Sequence, residues 1–538
     1  MTGCYTPKNV LENILSRGVS NAVTDTKIGS ADLLNTQNEL EKAYIIYKDI
    51  LGENPRQSDA LFGIALILEK QQKFDLAIQF LSKAIESKPD QIKALLTRGR
   101  ILRRQGIFKK AMSDFTKVIE KQKNNYEALI ARGITYGQTS NFIAAIDDFN
   151  SAINVNSNRA EAFYNRGVVY EKLNKFVSAI EDYSMAIALN PTDYKAYNNR
   201  GVALREIKCF DAAIKDFDKS IEINSDFAEG YYNKSLTLLS VGKLKEGFKL
   251  YEYRWKTTHF QPQLRHFPQP LWIGNENLTG KTILVHSEQG LGDSIQFSRY
   301  IKLFETKKCR VLLEIEKPLI SLMECLLPRE QIFEKGSALP TFDFHCPMMS
   351  LPHAFGTSLN KIPSSSTPYF SAQGRRVERW QRRLKMSKKP SIGIAWRGNP
   401  NHVNDQRRSA NLDELIAFLS EDYDWVSLEK FPTINELSLI EKTSHLRQFA
   451  AKMGDFAETA ALCYALNAVV TVDTSAAHLA ASMGANTHLL IRDCADWRWF
   501  QNRSDTPWYS SMKLHRKPDN VHWGRMVEIA VKDITLKR

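Results

Sequence analysis

The sequence predicts an α-solenoid of helix–turn–helix repeats followed by an α/β half holding two parallel-sheet units. Three observations carry that expectation. Gly99, Gly133, Gly167 and Gly201 recur at a spacing of 34 residues. Beyond residue 281 short apolar runs alternate with helical stretches, as in sheets flanked by helices. A basic segment, GRRVERWQRRLKMSKKP (374–390), then precedes a fresh apolar run, SIGIAW, and divides the second half in two.

The chain has 538 residues, enough for two to four domains. Its net charge of +13 invites a nucleic-acid reading, but much of it sits in 374–390, read here as a solvated helix between domains. No nucleic-acid partner is expected; the cationic excess suits a protein handling anionic small molecules. The seven cysteines are scattered and form no C-x-x-C pair, which argues against a disulfide framework and a zinc site and for a reducing compartment. No stretch resembles a secretory signal or a membrane span, so a cytoplasmic chain without membrane insertion is expected.

The repeat register runs from Ala65 to Ser235, with Ala77, Ala111, Ala145, Ala179, Ala213 and Gly247 following twelve residues later. Leu81, Phe115, Phe149, Tyr183, Phe217 and Tyr251 stand four residues further on. Small residues let two helices approach, and the large one fills the space against the neighbouring unit. An earlier, weaker unit keeps Ala31, Ala43 and Tyr47. The pattern resembles the tetratricopeptide repeat, in about seven units over 24–257 after an N-terminal extension, 1–23. Asn165, Asn199 and Asn233 each precede the small residue by two and are followed by Arg or Lys. An amide side chain matches a peptide bond of any sequence, so these three form a candidate peptide-binding ladder. They are equally ordinary polar residues of a solvated helix face. The ladder looks like the asparagine ladder in the repeat superhelix of O-GlcNAc transferases.

A connector rich in Pro and aromatic residues (258–281) leads to the first α/β unit, 282–385, and the second, 386–538. Strands are expected at TILVH (282–286), RVLLEI (310–315), SIGIAW (391–396), DWVSLEK (424–430), AVVTVD (468–473) and THLLI (487–491). Three strand-end loops carry chemistry. In HSEQGLGDSIQF (286–297), Gly290 and Gly292 shape a turn like a phosphate loop, yet Asp293 places a carboxylate at its mouth. RGNPNHVNDQRRS (397–409) gathers Arg397, Arg407 and Arg408. In DTSAAHLAASMG, Asp473, Thr474 or Ser475 would cap a helix bearing His478, a good receptor for a diphosphate. Asp473 and Thr474 also suit a plain N-cap, and His478 alone would suit a core position.

These loops resemble those of the heptosyltransferase-like glycosyltransferases (family 9), which have the two-Rossmann GT-B architecture. The whole layout looks like bacterial tetratricopeptide-repeat chains fused to such a domain. The resemblance implies an inverting, metal-independent transfer of a sugar from a nucleoside diphosphate to a polypeptide or glycan presented by the repeats. It implies Asp293 as catalytic base, and Asp473, Thr474, Ser475 and His478 at the donor diphosphate, with Arg408 or Arg407 as its cation. No cofactor beyond the nucleotide sugar is expected, and the D-x-D of Asp216 and Asp218, inside a repeat helix, is rejected as a metal site. Lys430, at the end of DWVSLEK, is a further candidate nucleotide contact. The family's D-T-G reads D-T-S here, and its basic-loop Lys is an Arg, which departs from heptose binding. The competing expectation is a repeat scaffold for protein interaction, with a nucleotide-binding or degenerate transferase half.

Overall fold

The computed structural model of the chain describes residues 7–385, 388–400 and 405–534, with side chains from residue 22 onward except those of Gln406 and Arg407. Its first half is helical, in seven sequential pairs among the described residues. They begin with Pro7–Thr36 and Leu40–Glu53 (α1, α2), Ser58–Lys70 and Phe74–Ser87 (α3, α4), Ile92–Arg104 and Phe108–Lys121 (α5, α6), and Tyr126–Gln138 and Phe142–Val155 (α7, α8). Ala160–Lys172 and Phe176–Leu189 (α9, α10), Tyr194–Glu206 and Phe210–Ile223 (α11, α12), and Ala228–Ser240 and Leu244–Tyr251 (α13, α14) complete them. Helix α1 already starts at Pro7, inside the stretch expected to be an extension.

The first helix of every pair stops at a residue in the left-handed conformation. These are Asn38, Gln72, Gly106, Ser140, Asn174, Lys208 and Gly242, with φ from 58° to 83° and the same 34-residue spacing. The next N–H reaches back into the helix, as Lys73 N does to Leu68 O at 2.9 Å, and ends it. Only two of the seven are glycine, so this turn is held at about 1 kcal/mol of strain elsewhere. The recurring glycines of the register serve packing instead. A Cβ at Gly99 would meet the Phe115 ring at 2.5 Å, and one at Gly133 the Phe149 ring at 2.7 Å. The aromatic knob therefore covers the glycine of its own repeat, not only the neighbouring unit.

The residue before each glycine is an arginine, and it ties three helices together. Arg132 grips Asp148 with two hydrogen bonds of 2.8 and 2.7 Å and donates to Thr116 in the preceding helix at 3.2 Å. Arg98 holds Asp114 and Ser82 in the same way, and Arg166 holds Asp182 and Asn150. Asp148 is only 5% exposed. Asp148→Ala should lower unfolding stability by roughly 2–4 kcal/mol, since it strands a half-buried guanidinium. Chemical denaturation of the full chain measures this.

The chain divides into two compact units between Ala203 and Leu204, within α11 rather than at the connector. The second unit holds α12 to α14 and two sheets. In the first sheet Thr282–His286 (β1), Arg310–Ile315 (β2), Ile332–Glu334 (β3) and Phe344–Pro347 (β4) run parallel in the order β3-β2-β1-β4. The second comprises Ser391–Ala395 (β5), Asp424–Ser427 (β6), Leu446–Gln448 (β7), Ala468–Val472 (β8), Thr487–Arg492 (β9) and Met512–Lys517 (β10). All its pairs are parallel, in the order β10-β9-β8-β5-β6-β7. Read from the β7 edge, that is the order of a doubly wound nucleotide-binding sheet. The helices of this unit are Leu291–Phe297 (α15), Ile320–Met323 (α16), Leu351–Ala354 (α17), Gly374–Leu384 (α18) and Asp405–Arg408 (α19). Leu412–Ile416 (α20), Ile434–Glu441 (α21), Phe456–Ala465 (α22), Ser475–Ser482 (α23) and Trp523–Lys532 (α24) follow.

The basic segment proves to be part of the second sheet's packing, not a solvated helix between domains. Val377, Trp380 and Leu384 of α18 are buried in one core with Val426, Leu462 and Val469. Arg376 pairs with Asp455 at 3.0 Å and Arg379 with Glu458 at 2.6 Å, so two of its cations are neutralised by the start of α22. The connector is packed as expected: Trp272 is fully buried and its backbone N–H donates to His345 O in β4 at 2.8 Å. Among the described residues no helix is long and apolar enough to cross a membrane.

Candidate functional site

In each sheet the strand order reverses once, between β1 and β4 and between β5 and β8. Loops leaving adjacent strands diverge there and open a crevice at the C-terminal ends, where open α/β sheets bind ligands. The chemistry-bearing loops follow β1, β5 and β8.

The loop after β1 is engaged along its length. Ser287 Oγ donates to Glu316 at 2.9 Å, Glu288 receives the buried Arg254, and Gln289 donates to the Tyr251 hydroxyl at 3.0 Å. Gly290 N–H donates to Asp293 Oδ2 at 3.0 Å, and Asp293 Oδ1 accepts from Arg498. Gly290 and Gly292 both have negative φ, so the turn itself does not demand glycine. What Gly292 supplies is room: a Cβ there would lie 3.0 Å from the His478 ring and 3.6 Å from Ser475 Cα. The glycine lets α15 pack on α23, which joins the β1 loop to the β8 loop.

Arg498 was not legible as a site residue. It lies in the W-R-W turn after β9, stacks on Trp497 with 4.4 Å to the ring centroid, and donates to Gln296 at 2.9 Å and Asp496 at 2.8 Å. Its charge also reaches Asp473 and His478. One buried guanidinium thus stands among Asp293 of the first sheet's loop and Asp473 and His478 of the second's.

Around the β8 loop, Asp473 does not cap α23 but accepts from Trp499 Nε1 at 2.9 Å. Burial, and then the nearby Asp496 charge, lift its carboxyl to about 6 against the Trp499 N–H and the Arg408 and Arg498 charges. Thr474 is the N-cap by position, yet its hydroxyl lies 3.2 Å from that of Thr471 and no side chain caps the helix. Among the described residues nothing accepts from the N–H groups at the Thr474–Ser475 start. His478 is buried, stacked on Trp499 at 5.2 Å between ring centroids, and bonded through Nδ1 to the Tyr509 hydroxyl at 2.9 Å. Burial, then Arg498, Arg299 and Arg408, hold its pKa well below the ordinary value, so it is a neutral imidazole.

Arg408 joins this group from the loop after β5. Its Nε lies 3.5 Å from Asp405 and is buried, without a hydrogen-bond acceptor among the described residues. The Arg407 side chain lies outside the described residues. Arg397 is committed elsewhere, to Glu436 at 2.9 Å and Phe431 O at 2.6 Å. Lys430 donates to Gly454 O at 2.6 Å. The D-x-D of the repeat is structural: Asp216 is buried and Asp218 pairs with Lys234 at 2.7 Å. So is a second one, Asp422–Asp424, where Asp424 pairs with Arg447. Of the ladder, Asn165 donates to Glu161 O in its own helix at 2.8 Å, Asn199 donates to the Tyr164 hydroxyl at 3.1 Å, and Asn233 lies on α13 in the second unit.

Burial also sets the acid response of the second unit. It lowers His286 to about 3 and His345, His488 and His515 to about 4, with His478 further down than the ordinary 6.5. Unfolded, these five take up protons near pH 6.5; folded, His286 does so near 3, His345, His488 and His515 near 4, and His478 well below its ordinary value. The unfolded state binds more protons in that window, so stability falls as pH drops through it. Glu288 and Glu429, lifted by burial to about 7, and Asp473 act in the opposite sense, three groups against five. A fall in melting temperature from pH 6.5 to 4 is expected, and His488→Asn with His515→Asn should flatten it.

Tetratricopeptide-repeat family models match residues 31–92, 160–193 and 194–227. Among curated proteins, FlbA of Caulobacter vibrioides is 21% identical over 304 residues, 51% of this chain and 50% of FlbA. The chain therefore spans about half the length of that relative. Among solved structures, MamA is 28% identical with a TM-score of 0.29, over 31% of this chain and 97% of its own. A tetratricopeptide repeat protein from Parabacteroides merdae is 18% identical with a TM-score of 0.37, over 43% of this chain and 91% of its own. The helical first part of the chain thus contains tetratricopeptide repeats, an architecture whose stacked units present a surface for protein interaction.

Proposed function

We propose that the α/β half is an inverting, metal-independent glycosyltransferase that moves a sugar from a nucleoside diphosphate to a polypeptide or glycan recruited by the repeats. The observation that carries this reading is the convergence of Asp293 and the uncapped start of α23 on Arg498, at the switch points of two parallel sheets. Asp293 would take the proton of the acceptor hydroxyl as its oxygen bonds to the anomeric carbon. The bond from that carbon to the diphosphate oxygen breaks, and the leaving charge falls to the Thr474–Ser475 N–H groups and Arg408. Asp473, held by Trp499, would accept from a sugar or ribose hydroxyl, and neutral His478 would offer Nε2 beside it. Arg407 would add a second cation, and Lys430 could reach the nucleotide only by leaving Gly454. Asn165 and Asn199, both in the first unit, would hold the acceptor chain once their amides leave Glu161 O and the Tyr164 hydroxyl.

Incubating the full chain with UDP-, GDP- and ADP-linked sugars, while following nucleotide release and thermal stability, tests the reading. Turnover that depends on Asp293 supports it; neither turnover nor a stability shift with any donor removes it. The engagement of both Asp293 oxygens favours a second reading, a nucleotide-binding interaction scaffold without catalysis. A stability shift without turnover would select that alternative.

A further inference from the structure

Between residues 92 and 123 the third repeat carries ten Lys and Arg against two carboxylates. Part of this charge is structural: Arg98 holds Asp114, Lys121 pairs with Asp90, and Arg104 lies over the Phe74 ring at 4.9 Å with Glu69 at 4.0 Å. Lys93, Arg100 and Arg103 of α5 have no carboxylate partner among the described residues. Arg100 and Arg103 lie three residues apart, on the face that also shows the half-buried Leu96. Arg103 is the most committed of them. The residue is half-buried, its Nε is enclosed with no acceptor among the described residues, and burial and the Arg100 and Arg104 charges oppose its ionisation. Arg100 and the half-buried Arg103 thus concentrate positive charge on one face, which carboxylates arriving from solvent would neutralise.

We propose that this face of α5 binds an acidic polypeptide segment that interleaves carboxylates with aliphatic residues. Its carboxylates would pair with Arg100 and Arg103, and its aliphatic side chains would cover Leu96 and, one repeat on, Ile134 of α7, also half-buried. A nucleic acid fits less well. From Lys93 to Arg104 the cationic stretch is only about 17 Å long. The flanking first helices interrupt it with Asp59, Glu69 and Glu127, and α5 carries no aromatic residue on which a base could stack. The proposal gives the recruited partner a chemistry and stands without the transfer reaction, because Asp293→Asn would leave it untouched.

The test measures binding of the full chain to a labelled peptide of about twelve residues with the repeating sequence Glu-Leu-Glu-Glu, by fluorescence anisotropy at low and moderate salt. A Gln-for-Glu peptide and oligothymidylate of equal length serve as comparisons. The expected result is binding of the acidic peptide that weakens roughly tenfold or more in Arg100→Gln/Arg103→Gln, with little change in Lys109→Gln/Lys110→Gln on α6. Arg100→Gln alone, at an exposed position, serves if the double variant does not fold and should show most of the loss. No binding, equal losses in both double variants, or tighter binding of oligothymidylate would overturn the proposal.

Discussion

Asp293→Asn should reduce sugar transfer by roughly 10²–10⁴ while leaving donor-induced thermal stabilisation nearly intact. The substitution is close to isosteric, and the amide oxygen can keep the bond from Arg498 while its NH2 group turns towards Gly290 N–H, one bond fewer than the carboxylate accepts. Arg498 keeps Asp496 and Gln296, so its buried charge is not stranded. What disappears is the acceptor of a proton, and with it the means of making the incoming oxygen nucleophilic. Arg498→Gln is the informative companion. It removes the cation between the two loops, and should weaken both turnover and donor-induced stabilisation, because Asp473 would then keep the Asp496 charge beside it with one cation fewer to offset it. Initial rates of nucleotide release, measured beside melting shifts at saturating donor, separate the two effects. Unchanged turnover in Asp293→Asn would remove this residue from the chemistry.

The sequence shows where the loops leave the sheets but not what they meet. The 34-residue register announces the repeats because glycine and an aromatic residue sit sixteen residues apart in four successive units. The Arg–Asp clamp runs at the same spacing and is equally periodic, yet a charged pair reads as solvated until its burial is known. Six strands are apparent as apolar runs. The other four are edge or interrupted strands: β3 and β7 have three residues each, β4 ends in proline, and β10 reads MKLHRK. Asp293, Asp473 and His478 stand out by motif. Arg498 does not, because nothing in W-R-W specifies a partner some two hundred residues earlier; only the packing of α15 on α23 creates that pair. Gly292 is the reverse case, a residue noticed for the right position and the wrong reason.

Removing residues 258 onward's helical neighbours should cost the α/β half its fold, whereas removing the earlier repeats should not. A chain beginning at Tyr194, which keeps α11 whole, should stay soluble and melt cooperatively; one beginning at residue 258 should aggregate. Leu239, Leu244, Phe248 and Tyr251 are each at most 2% exposed and share one core with Trp272, Phe297, Trp497 and Trp508. Phe248 meets Trp497 edge-on at 5.5 Å between ring centroids. Losing four such side chains forfeits roughly 6–12 kcal/mol of burial, comparable to the whole stability of a domain. The shorter chain also lacks Arg254, whose Nη2 reaches Glu288 at 3.0 Å and Ser350 at 2.8 Å. Glu288 would remain as an unpaired buried carboxyl on the loop that carries Asp293, a loss of roughly 3–5 kcal/mol. Circular dichroism melts of the two truncations decide the matter, and equal stability would overturn it. The same cut sharpens the test of acceptor recruitment. Deleting up to residue 250 would damage the site as well as the repeats, so a fall in activity would say nothing about presentation. A chain from Tyr194 lacks Asn165 and α5 yet keeps Tyr251, Arg254 and the β1 loop intact. If the repeats present a macromolecular acceptor, this chain should lose activity towards that acceptor while retaining donor hydrolysis.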